Sequence, residues 1–367
     1  MSGLIAALFS VTILTPAALA CTGVTLTGGD GSVVFGRTLE WGPFDLKGRL
    51  DIIPRGHAFE SEEMPDGSAG MAWTGKYGVV GISILDKTAL TDGINEVGLS
   101  GGMFYLPGFS EYKDYDPGQA DVSLSPPDVL GYMLSQFQSI EEVRNAFAEI
   151  RVVSVVEEAL GFPAPMHLIF TEPSGNSIVV EFDSKEVQIF DAPLGVITNA
   201  PTYDWHTTNL RNYVNLSPVS VPPKTIDGEQ FSALGAGSGM IGLPGDFTPP
   251  SRFVRAVAFS TTARPTTGGY DTVRETFRIL DNFNVPLGAA EGADDAPALD
   301  DLLYSATQYT TAIDTKNHVF YYHTQFSRRV RMVDLKQIDF AEIGDEVIIR
   351  PLDDTTEEDI VDLTPSK

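Results

Sequence analysis

The most constraining feature of this sequence is its one cysteine, Cys21, which stands immediately before an alternating apolar–polar segment. Residues 22–27 read Thr-Gly-Val-Thr-Leu-Thr, residues 28–31 are a glycine-rich turn sequence, and residues 32–37 return with apolar character. This pattern predicts a β-hairpin that begins at the cysteine itself. A single cysteine also excludes an internal disulfide and a cysteine-cluster metal site.

Residues 1–20 have the composition of an export signal. They carry no charged side chain, their apolar run from Leu4 to Leu14 is shorter than a membrane span, and Ala18-Leu19-Ala20 has the small-x-small pattern that signal peptidase reads. The lack of Lys or Arg before the apolar run departs from the usual signal. We expect cleavage after Ala20, a mature chain that begins at Cys21, and a periplasmic or secreted location.

Three chemistries are open to a cysteine at this cleavage point. A free thiol beside a free α-amine makes an N-terminal nucleophile. Acylation would instead produce a lipoprotein, but such sites usually carry Leu three residues earlier, where this chain has Ala18, and a polar linker afterwards. A lone cysteine can also be an inert buried side chain. The strand pattern that starts at Cys21 favours the first interpretation.

An N-terminal cysteine carries its own general base. An α-amine titrates at about pH 8 and can take the thiol proton, so this chemistry requires no histidine. The five histidines are scattered, and none has a spacing that indicates a nucleophile–base pair: His57, His167, His206, His318 and His323.

Arg37 and Glu40 stand where the predicted hairpin returns beside Cys21. A nearby cation favours the thiolate form of a cysteine, which makes Arg37 a candidate partner of the thiol. Glu40 follows three residues later and is a candidate for holding the amine in place. On a generic strand the same pair would be a solvated ion pair at a strand end, and the residues alone leave that alternative open.

The charge balance excludes several classes of partner. The chain of 367 residues has 50 acidic and 24 basic side chains, a formal net charge of −26. Such a surface repels phosphate, which argues against nucleic-acid binding and against anionic membranes. We therefore expect no nucleic-acid partner and no membrane insertion after the leader is removed, and a small-molecule partner is compatible with this charge.

The pattern along the chain combines many strands with a few amphipathic helices. Strands are predicted at residues 71–74, 78–85, 167–170, 177–182, 187–190, 307–313 and 319–323, with a hairpin at 92–99 that leads to an apolar segment at 103–106. Helices are predicted over 127–137, 140–150, 252–259 and 272–280, the second opened by the capping box Ser139-x-x-Glu142. This order indicates layered α+β structure in a single domain over residues 21–350, with an acidic loop at 290–302 and an acidic tail at 351–367.

One glycine-rich segment is a misleading match. Residues 237–242 have the glycine spacing of a dinucleotide-binding loop, which functions only between a strand and the start of a helix. Here Leu243-Pro244-Gly245 follows and would break a helix. We therefore expect no nucleotide site there.

Longer motifs carry a family resemblance. They are Cys21 together with Gly36-Arg37-Thr38-Leu39-Glu40-Trp41, residues 92–99, residues 198–206 (Thr-Asn-Ala-Pro-Thr-Tyr-Asp-Trp-His) and residues 242–253 (Gly-Leu-Pro-Gly-Asp-Phe-Thr-Pro-Pro-Ser-Arg-Phe). With these motifs the sequence resembles the choloylglycine hydrolase family of bile salt hydrolases and penicillin V acylases, which are N-terminal nucleophile hydrolases. The resemblance covers nearly the whole chain after residue 20.

The resemblance implies a fold and an activity. The fold would be a four-layer αββα sandwich with Cys21 at the start of a central strand. The activity would be hydrolysis of a linear, non-peptide amide by way of a thioester, with no cofactor and no metal, in a protein that forms a homotetramer.

The resemblance also implies a role for each matching residue. Cys21 would be nucleophile and base, Arg37 would lie by the thiol, and Glu40, where the family commonly has Asp, would contact the α-amine. Tyr105 would offer its main-chain N–H to the oxyanion, and Asn199 would donate its side-chain amide to the same oxyanion. Arg252 would complete the polar network around the cysteine. The two donors from Tyr105 and Asn199, aimed at a developing oxyanion, would together stabilise it by several kcal/mol.

Other interpretations remain open at this point. Read without the family, Asn199 is a turn residue before Pro201 and Tyr105 is a core aromatic residue. Glu40 in place of Asp makes a degenerate, amide-binding protein an alternative to an enzyme, and an acylated Cys21 makes a lipid-anchored binding protein another. Conjugated bile acids, penicillin V and N-acyl homoserine lactones are all candidate substrates.

Overall fold

The computed structural model describes residues 20–42, 44–290, 306–354, 360–361 and 363–364. The leader expected at residues 1–20 lies outside these ranges except for Ala20. The acidic loop expected at 290–302 lies outside them except for its first residue, and the tail expected at 351–367 is described only in part.

The described residues form nineteen strands. In chain order they are β1 (Thr22–Thr27), β2 (Val33–Trp41), β3 (Arg49–Ile53), β4 (Ala58–Glu60), β5 (Ala72–Thr74), β6 (Val79–Ile84), β7 (Ala89–Asn95), β8 (Ser100–Tyr105), β9 (Ser123–Leu124), β10 (Arg151–Val152), β11 (Met166–Thr171), β12 (Ser177–Asp183), β13 (Glu186–Asp191), β14 (Lys224–Ile226), β15 (Glu229–Phe231), β16 (Ala306–Asp314), β17 (Val319–Thr324), β18 (Arg331–Asp334) and β19 (Ile348–Pro351).

Five α-helices connect or cover these strands in the described ranges: α1 (Val129–Gln136), α2 (Ile140–Ala146), α3 (Tyr203–Asn209), α4 (Pro249–Thr262) and α5 (Gly269–Leu280). Short 3₁₀ helices occur at Pro117–Val122, Pro126–Asp128, Leu210–Tyr213, Ser238–Met240, Asp281–Phe283 and Leu335–Gln337.

Most strands belong to two antiparallel sheets. One has five strands in the order β1-β2-β16-β17-β18, and the other has eight in the order β13-β12-β11-β8-β7-β6-β3-β19. Apolar side chains from both sheets pack together between them, including Val24, Phe35, Phe104, Ile169 and Ile313.

Helices cover the outer face of each sheet. α4 and α5 pack on the five-stranded sheet, where Val273 and Phe277 meet Val34. α1 and α2 pack on the eight-stranded sheet through a second apolar cluster that includes Leu130, Val143 and Phe170. The layers are therefore helix, sheet, sheet and helix, which is the αββα sandwich that the resemblance implied.

The hairpin predicted at Cys21 is present, but its first strand is not central. β1 pairs with β2 through Thr22↔Thr38 and Gly23↔Arg37, and β1 is an end strand of its sheet. Its outer edge is covered by a short bridge in which Gly23 and Ile197 exchange both main-chain hydrogen bonds, at 2.8 and 3.1 Å. A Cβ at residue 23 would lie 2.7 Å from Ile197 Cγ2, so this close approach needs glycine.

The predicted helices are confirmed with shifted ends. Ser139 caps α2 by accepting a hydrogen bond from Glu142 N at 3.3 Å, but the helix ends at Ala146 rather than at residue 150. The strand Arg49–Ile53 and the helix Tyr203–Asn209 were not predicted. Residues 237–242 contain one 3₁₀ turn, Ser238–Met240, and not a strand–helix junction.

Candidate active site

The bridge between β1 and residue 197 brings Asn199 beside Cys21. The antiparallel bridge Gly23↔Ile197 sets a register in which residue 199 lies opposite residue 21. The main-chain nitrogen of Cys21 accordingly donates to Asn199 Oδ1 at 2.8 Å. Both residues are buried, with Cys21 5% and Asn199 1% exposed. Two residues far apart in the sequence thus meet because one strand edge is covered by the other segment.

Arg37 belongs to β2, and its side chain reaches between strands β7 and β8 of the eight-stranded sheet. Pairing of β7 with β8 ends at Asp92↔Gly102, and the guanidinium Nη1 of Arg37 donates to the next two free carbonyls, Thr91 O at 2.9 Å and Met103 O at 2.8 Å. Its Nη2 has no hydrogen-bond partner among the described residues. A fully buried cation with one free donor edge therefore borders the cavity that Cys21 also lines.

The thiol environment contains opposing influences. Burial raises the pKa of the Cys21 thiol, and the positive charge of Arg37 is the strongest influence that lowers it. The main-chain N–H of Glu40 also hydrogen-bonds to the thiol and lowers its pKa. With burial dominant, the resting thiol keeps its proton and needs a base before it can attack.

Glu40 is buried, but its carboxylate is held by hydroxyls. Oε1 accepts from Thr307 Oγ1 at 2.7 Å and Oε2 accepts from Thr38 Oγ1 at 3.1 Å. Burial raises the pKa of Glu40 to about 7 despite these hydrogen bonds and the nearby charge of Arg252. The main-chain nitrogen of Cys21, which here is the amide that follows Ala20, donates to Asn199 Oδ1. The contact between Glu40 and a free α-amine stays a prediction.

Arg252 joins Cys21 to Asn199. It lies in the first turn of α4, its Nη1 donates to Cys21 O and to Thr22 Oγ1, and its Nη2 donates to Asn199 Oδ1 at 2.7 Å. Burial lowers the pKa of Arg252 to about 10, so it stays a cation at neutral pH.

The contacts of Asn199 fix which way its amide points. Oδ1 accepts from two donors, so Nδ2 must point the other way, where it donates to Tyr105 O at 2.8 Å. An amide nitrogen carries two hydrogens, and this bond uses one of them.

Tyr105 closes this group at the end of β8. The next residue, Leu106, donates its N–H to Pro165 O at 2.7 Å, so strand alternation directs the Tyr105 N–H to the opposite edge. That edge is the one where pairing between β7 and β8 has already ended. The ring of Tyr105 forms an edge-to-face contact with Trp41, with 6.2 Å between ring centroids.

The cavity beside Cys21 is apolar. About 640 Å³ of empty space lies within it and at its opening, and this figure includes open solvent. Apart from the residues already described, its wall is formed mainly by aromatic and aliphatic side chains, which include Trp41, Phe44, Leu46, Ile84, Met103, Leu160 and Met166. Glu157 also lines it, paired with Lys87 at 3.2 Å. An apolar wall of this kind suits the acyl part of a substrate.

The structure brings together all six residues that the sequence singled out. The partners that hold them were not predicted: Thr38, Thr91, Thr307, His167 and His206. Thr38 and His206 carried a signal, since both belong to quoted motifs. Thr307, which bonds to the Glu40 carboxylate across 267 residues, left none. The described residues include no group of three or more His, Cys, Asp or Glu that could hold a metal ion. Within the same ranges, no helix has the length and apolar character needed to cross a membrane.

Comparison with known proteins identifies the class. Residues 21–358 match the sequence profile of a family described as linear amide C–N hydrolases, choloylglycine hydrolase family. A buried thiol and guanidinium beside an apolar cavity, with the Asn199 amide bonded to the same cysteine, in an αββα sandwich agree with this class, and the protein is an amidohydrolase of linear amides. The chain belongs to the choloylglycine hydrolase family.

Individual relatives agree with that assignment. The chain is 31% identical over 322 residues to a bile salt hydrolase/transferase of Clostridium perfringens, covering 86% of this chain and 93% of the relative. It is 27% identical to a penicillin V acylase of Pectobacterium atrosepticum, covering 84% of this chain and 78% of the relative.

Solved structures agree as well. A variant of conjugated bile acid hydrolase from Clostridium perfringens superposes with a TM-score of 0.79 at 28% identity, covering 94% of this chain and 100% of that one. Penicillin V acylase from Agrobacterium tumefaciens shares the fold, with a TM-score of 0.70 at 24% identity over 90% of this chain and 91% of that one.

Proposed function

We propose that this protein hydrolyses the linear amide of an N-acyl compound with an apolar acyl group, through a thioester on Cys21 after cleavage behind Ala20. The observation that carries the proposal is that Cys21 and the Arg37 guanidinium border one apolar cavity, while the Asn199 amide is bonded to the Cys21 nitrogen.

Cleavage would supply the missing base. Because burial raises the pKa of the thiol, a base must remove its proton, and the α-amine released at Cys21 is the group attached to the same residue. Ala20 is only 3% exposed, so its removal would also open space beside the sulfur. The same burial argues against lipidation, because acyl chains on Cys21 would have to occupy the protein interior.

The reaction would proceed in two steps, acylation of Cys21 and hydrolysis of the resulting thioester. In the first half, the α-amine of Cys21 takes the thiol proton and Sγ attacks the acyl carbon of the substrate. The C–N bond then breaks as the α-amine passes that proton to the amine of the substrate, which leaves. In the second half, water attacks the thioester while the α-amine takes a proton from it and returns the proton to the sulfur, so that the acid leaves and Cys21 is regenerated.

The negative oxygen formed in both halves needs donors already in place. The second hydrogen of Asn199 Nδ2 and the main-chain N–H of Tyr105 are the two donors in this proposal. Arg37 would stabilise the thiolate through its free Nη2 edge. Preorganised donors of this kind contribute about 3 kcal/mol each in other amide hydrolases.

The cavity wall bears on the choice of substrate. Trp41 and Phe44 meet edge to face at 5.1 Å, and Trp41 meets Tyr105 in the same way. We infer that the acyl group is aromatic or aliphatic, which includes the phenoxyacetyl group of penicillin V, the steroid acyl group of conjugated bile acids and the acyl chain of homoserine lactones.

A release assay on exported protein tests the proposal. The N-terminal residue is first identified by intact mass, with periplasmic or secreted protein beginning at Cys21 as the expected result. Amine release is then compared for glycine and taurine conjugates of bile acids, penicillin V and N-acyl homoserine lactones, with Cys21→Ala as the matched control. Correctly cleaved protein that releases no amine from any of them would overturn the proposal, and a diacylglycerol adduct would indicate a lipid-anchored protein.

Glu40, in place of the family's usual Asp, bears on the rate of this reaction. Its carboxylate is held by Thr38 and Thr307. A burst of thioester formation with an activated amide would show that the enzyme with Glu40 completes the acylation half of the reaction.

The homotetramer implied by the resemblance stays a prediction. Residues 214–241 expose several large apolar side chains that suit a subunit contact, namely Val214, Val219, Phe231, Leu234 and Ile241. Light scattering of the cleaved protein would measure its mass directly.

A further inference from the structure

Two buried histidines hold the main chain of the segment that carries Asn199. His167 Nε2 lies 2.9 Å from the carbonyl oxygen of Thr198, and His206 Nε2 lies 2.8 Å from the carbonyl oxygen of Asn199. His167 is 1% and His206 2% exposed. Two consecutive carbonyls are thus each bonded to an imidazole that reaches them from a different element, β11 for His167 and α3 for His206.

The partners of His206 determine its protonation. A carbonyl oxygen only accepts, so Nε2 must carry the hydrogen, while Nδ1 is buried without a partner among the described residues. Burial lowers the pKa of His206 to about 4, so the ring is neutral at neutral pH. Its plane is fixed by stacking on Phe253, with ring centroids 4.7 Å apart and planes 12° from parallel.

A carboxylate orients His167 in turn. Glu181 Oε1 lies 3.2 Å from His167 Nδ1 and also accepts from Tyr203 N at 2.9 Å. Both nitrogens of His167 thus face acceptors, Nδ1 the Glu181 carboxylate and Nε2 the carbonyl oxygen of Thr198. The carboxylate therefore ties β11 and β12 to the first residue of α3, the helix that carries His206.

We propose that His206, supported by His167 and Glu181, is a positioning residue that aims the Asn199 amide at the reacting carbonyl. This inference rests on the proposed function, in which Asn199 Nδ2 donates to the oxyanion. With the Asn199 carbonyl anchored and Oδ1 bonded to Cys21 N and Arg252, the amide has one orientation. Without the His206 anchor the peptide can rotate and move the donor. A displacement near 1 Å costs about 10²-fold in rate.

The test separates hydrogen-bond donation from packing. His206→Phe keeps a ring that stacks on Phe253 but removes the donor, whereas His206→Gln keeps an N–H of similar reach. We expect His206→Phe to lower kcat about 10- to 100-fold with KM changed less than about twofold. His206→Gln should recover most of the lost kcat. A loss that Gln does not restore, or one that falls on KM, would overturn the proposal.

His323 provides a matched control. It is also buried and neutral, with a pKa lowered to about 4, and it packs on Phe277 at 5.2 Å under α5. His323→Phe should reduce the melting temperature about as much as His206→Phe while kcat stays unchanged. If His206→Phe does not fold, His206→Met replaces it, because Met fills similar volume without a donor. An equal loss of kcat in the His323 variant would show a general effect of core substitution and contradict the proposal.

A double-mutant cycle distinguishes this inference from the proposed function. In an Asn199→Asp background there is no amide donor to aim, so adding His206→Phe should lower the residual kcat no further. If the two losses multiply, His206 acts independently of Asn199 and the inference fails. If the wild type releases amine but Asn199→Asp is as fast as the wild type, it is the assigned role of Asn199 that fails.

Discussion

Replacing Asn199 by aspartate tests the oxyanion site more sharply than replacing it by alanine. The Asn199 side chain makes three buried hydrogen bonds, two accepted by Oδ1 and one donated by Nδ2. Alanine deletes all three and leaves the guanidinium of Arg252 short of an acceptor. At about 1 kcal/mol for each neutral bond and 1.5–3 for the charged one, the loss of stability is roughly 4 kcal/mol. That is a large part of the free energy of unfolding of a typical domain, so alanine mixes structural and catalytic effects.

Aspartate has the same shape and keeps both acceptor contacts. It removes the two Nδ2 hydrogens, and it turns a carboxylate oxygen toward Tyr105 O and toward any oxyanion. Loss of one oxyanion donor lowers kcat about 10²- to 10³-fold, and the added repulsion puts Asn199→Asp at or beyond the upper end. KM should change little, because the donor acts mainly on the charged intermediate.

The assay measures amine release at steady state and thermal unfolding on the same preparation. We expect Asn199→Asp to lose less melting temperature than Asn199→Ala, because it keeps both bonds of Oδ1, while its kcat falls by about a hundredfold or more. Asn199→Ala should lose both kcat and several degrees of melting temperature. An Asn199→Asp protein with near-normal kcat would remove Asn199 from the catalytic group. A destabilised Asn199→Ala protein with near-normal kcat would make it a structural turn residue.

Three further predictions concern the other charged and nucleophilic groups. Cys21→Ala should abolish turnover without unfolding the protein, and Cys21→Ser should lose most turnover, since a hydroxyl ionises far less readily than a thiol; amine release by the alanine variant would contradict the mechanism. Arg37→Met removes the cation that most lowers the thiol pKa, so iodoacetamide alkylation of Cys21 should require a higher pH, and an unshifted profile would exclude this role. In uncleaved protein the pKa of Glu40 is raised from 4.5 to about 7, so the folded state retains a proton that the unfolded state has lost. The free energy of unfolding should therefore fall by roughly 3 kcal/mol as pH rises from 4.5 to about 7. Glu40→Gln should reduce this dependence of the free energy of unfolding on pH, measured by urea titrations at several pH values.

Local signals predicted much of the fold. The turn glycines at residues 28–31 and the alternation on both sides specify the β1–β2 hairpin, and the register Gly23↔Arg37 follows from that short connection. Ser139 and Glu142 specify the start of α2. These features depend on neighbours within a few residues, so a pattern in the sequence is enough to reveal them.

Pairing between segments far apart in the sequence accounts for the differences between the predicted and the observed fold. β1 is an end strand because the segment that covers its outer edge arrives 174 residues later, at Ile197, without forming a full strand. The α2 helix stops early, and α3 was missed, because their lengths depend on packing and on contacts such as Glu181 with Tyr203 N. No local pattern encodes such contacts.

The sequence by itself predicted that a strand begins directly after Cys21, that Arg37 returns beside it, and, through the family motifs, which six residues gather at the site. Only the tertiary structure decided how they are held. Asn199 takes the Cys21 nitrogen, Glu40 is bonded to Thr38 and Thr307, and two histidines anchor the carbonyls at 198 and 199. The physical reason is that a motif fixes residue identity and short-range geometry, whereas buried polar atoms take whichever partners the packing of distant elements brings within hydrogen-bond distance.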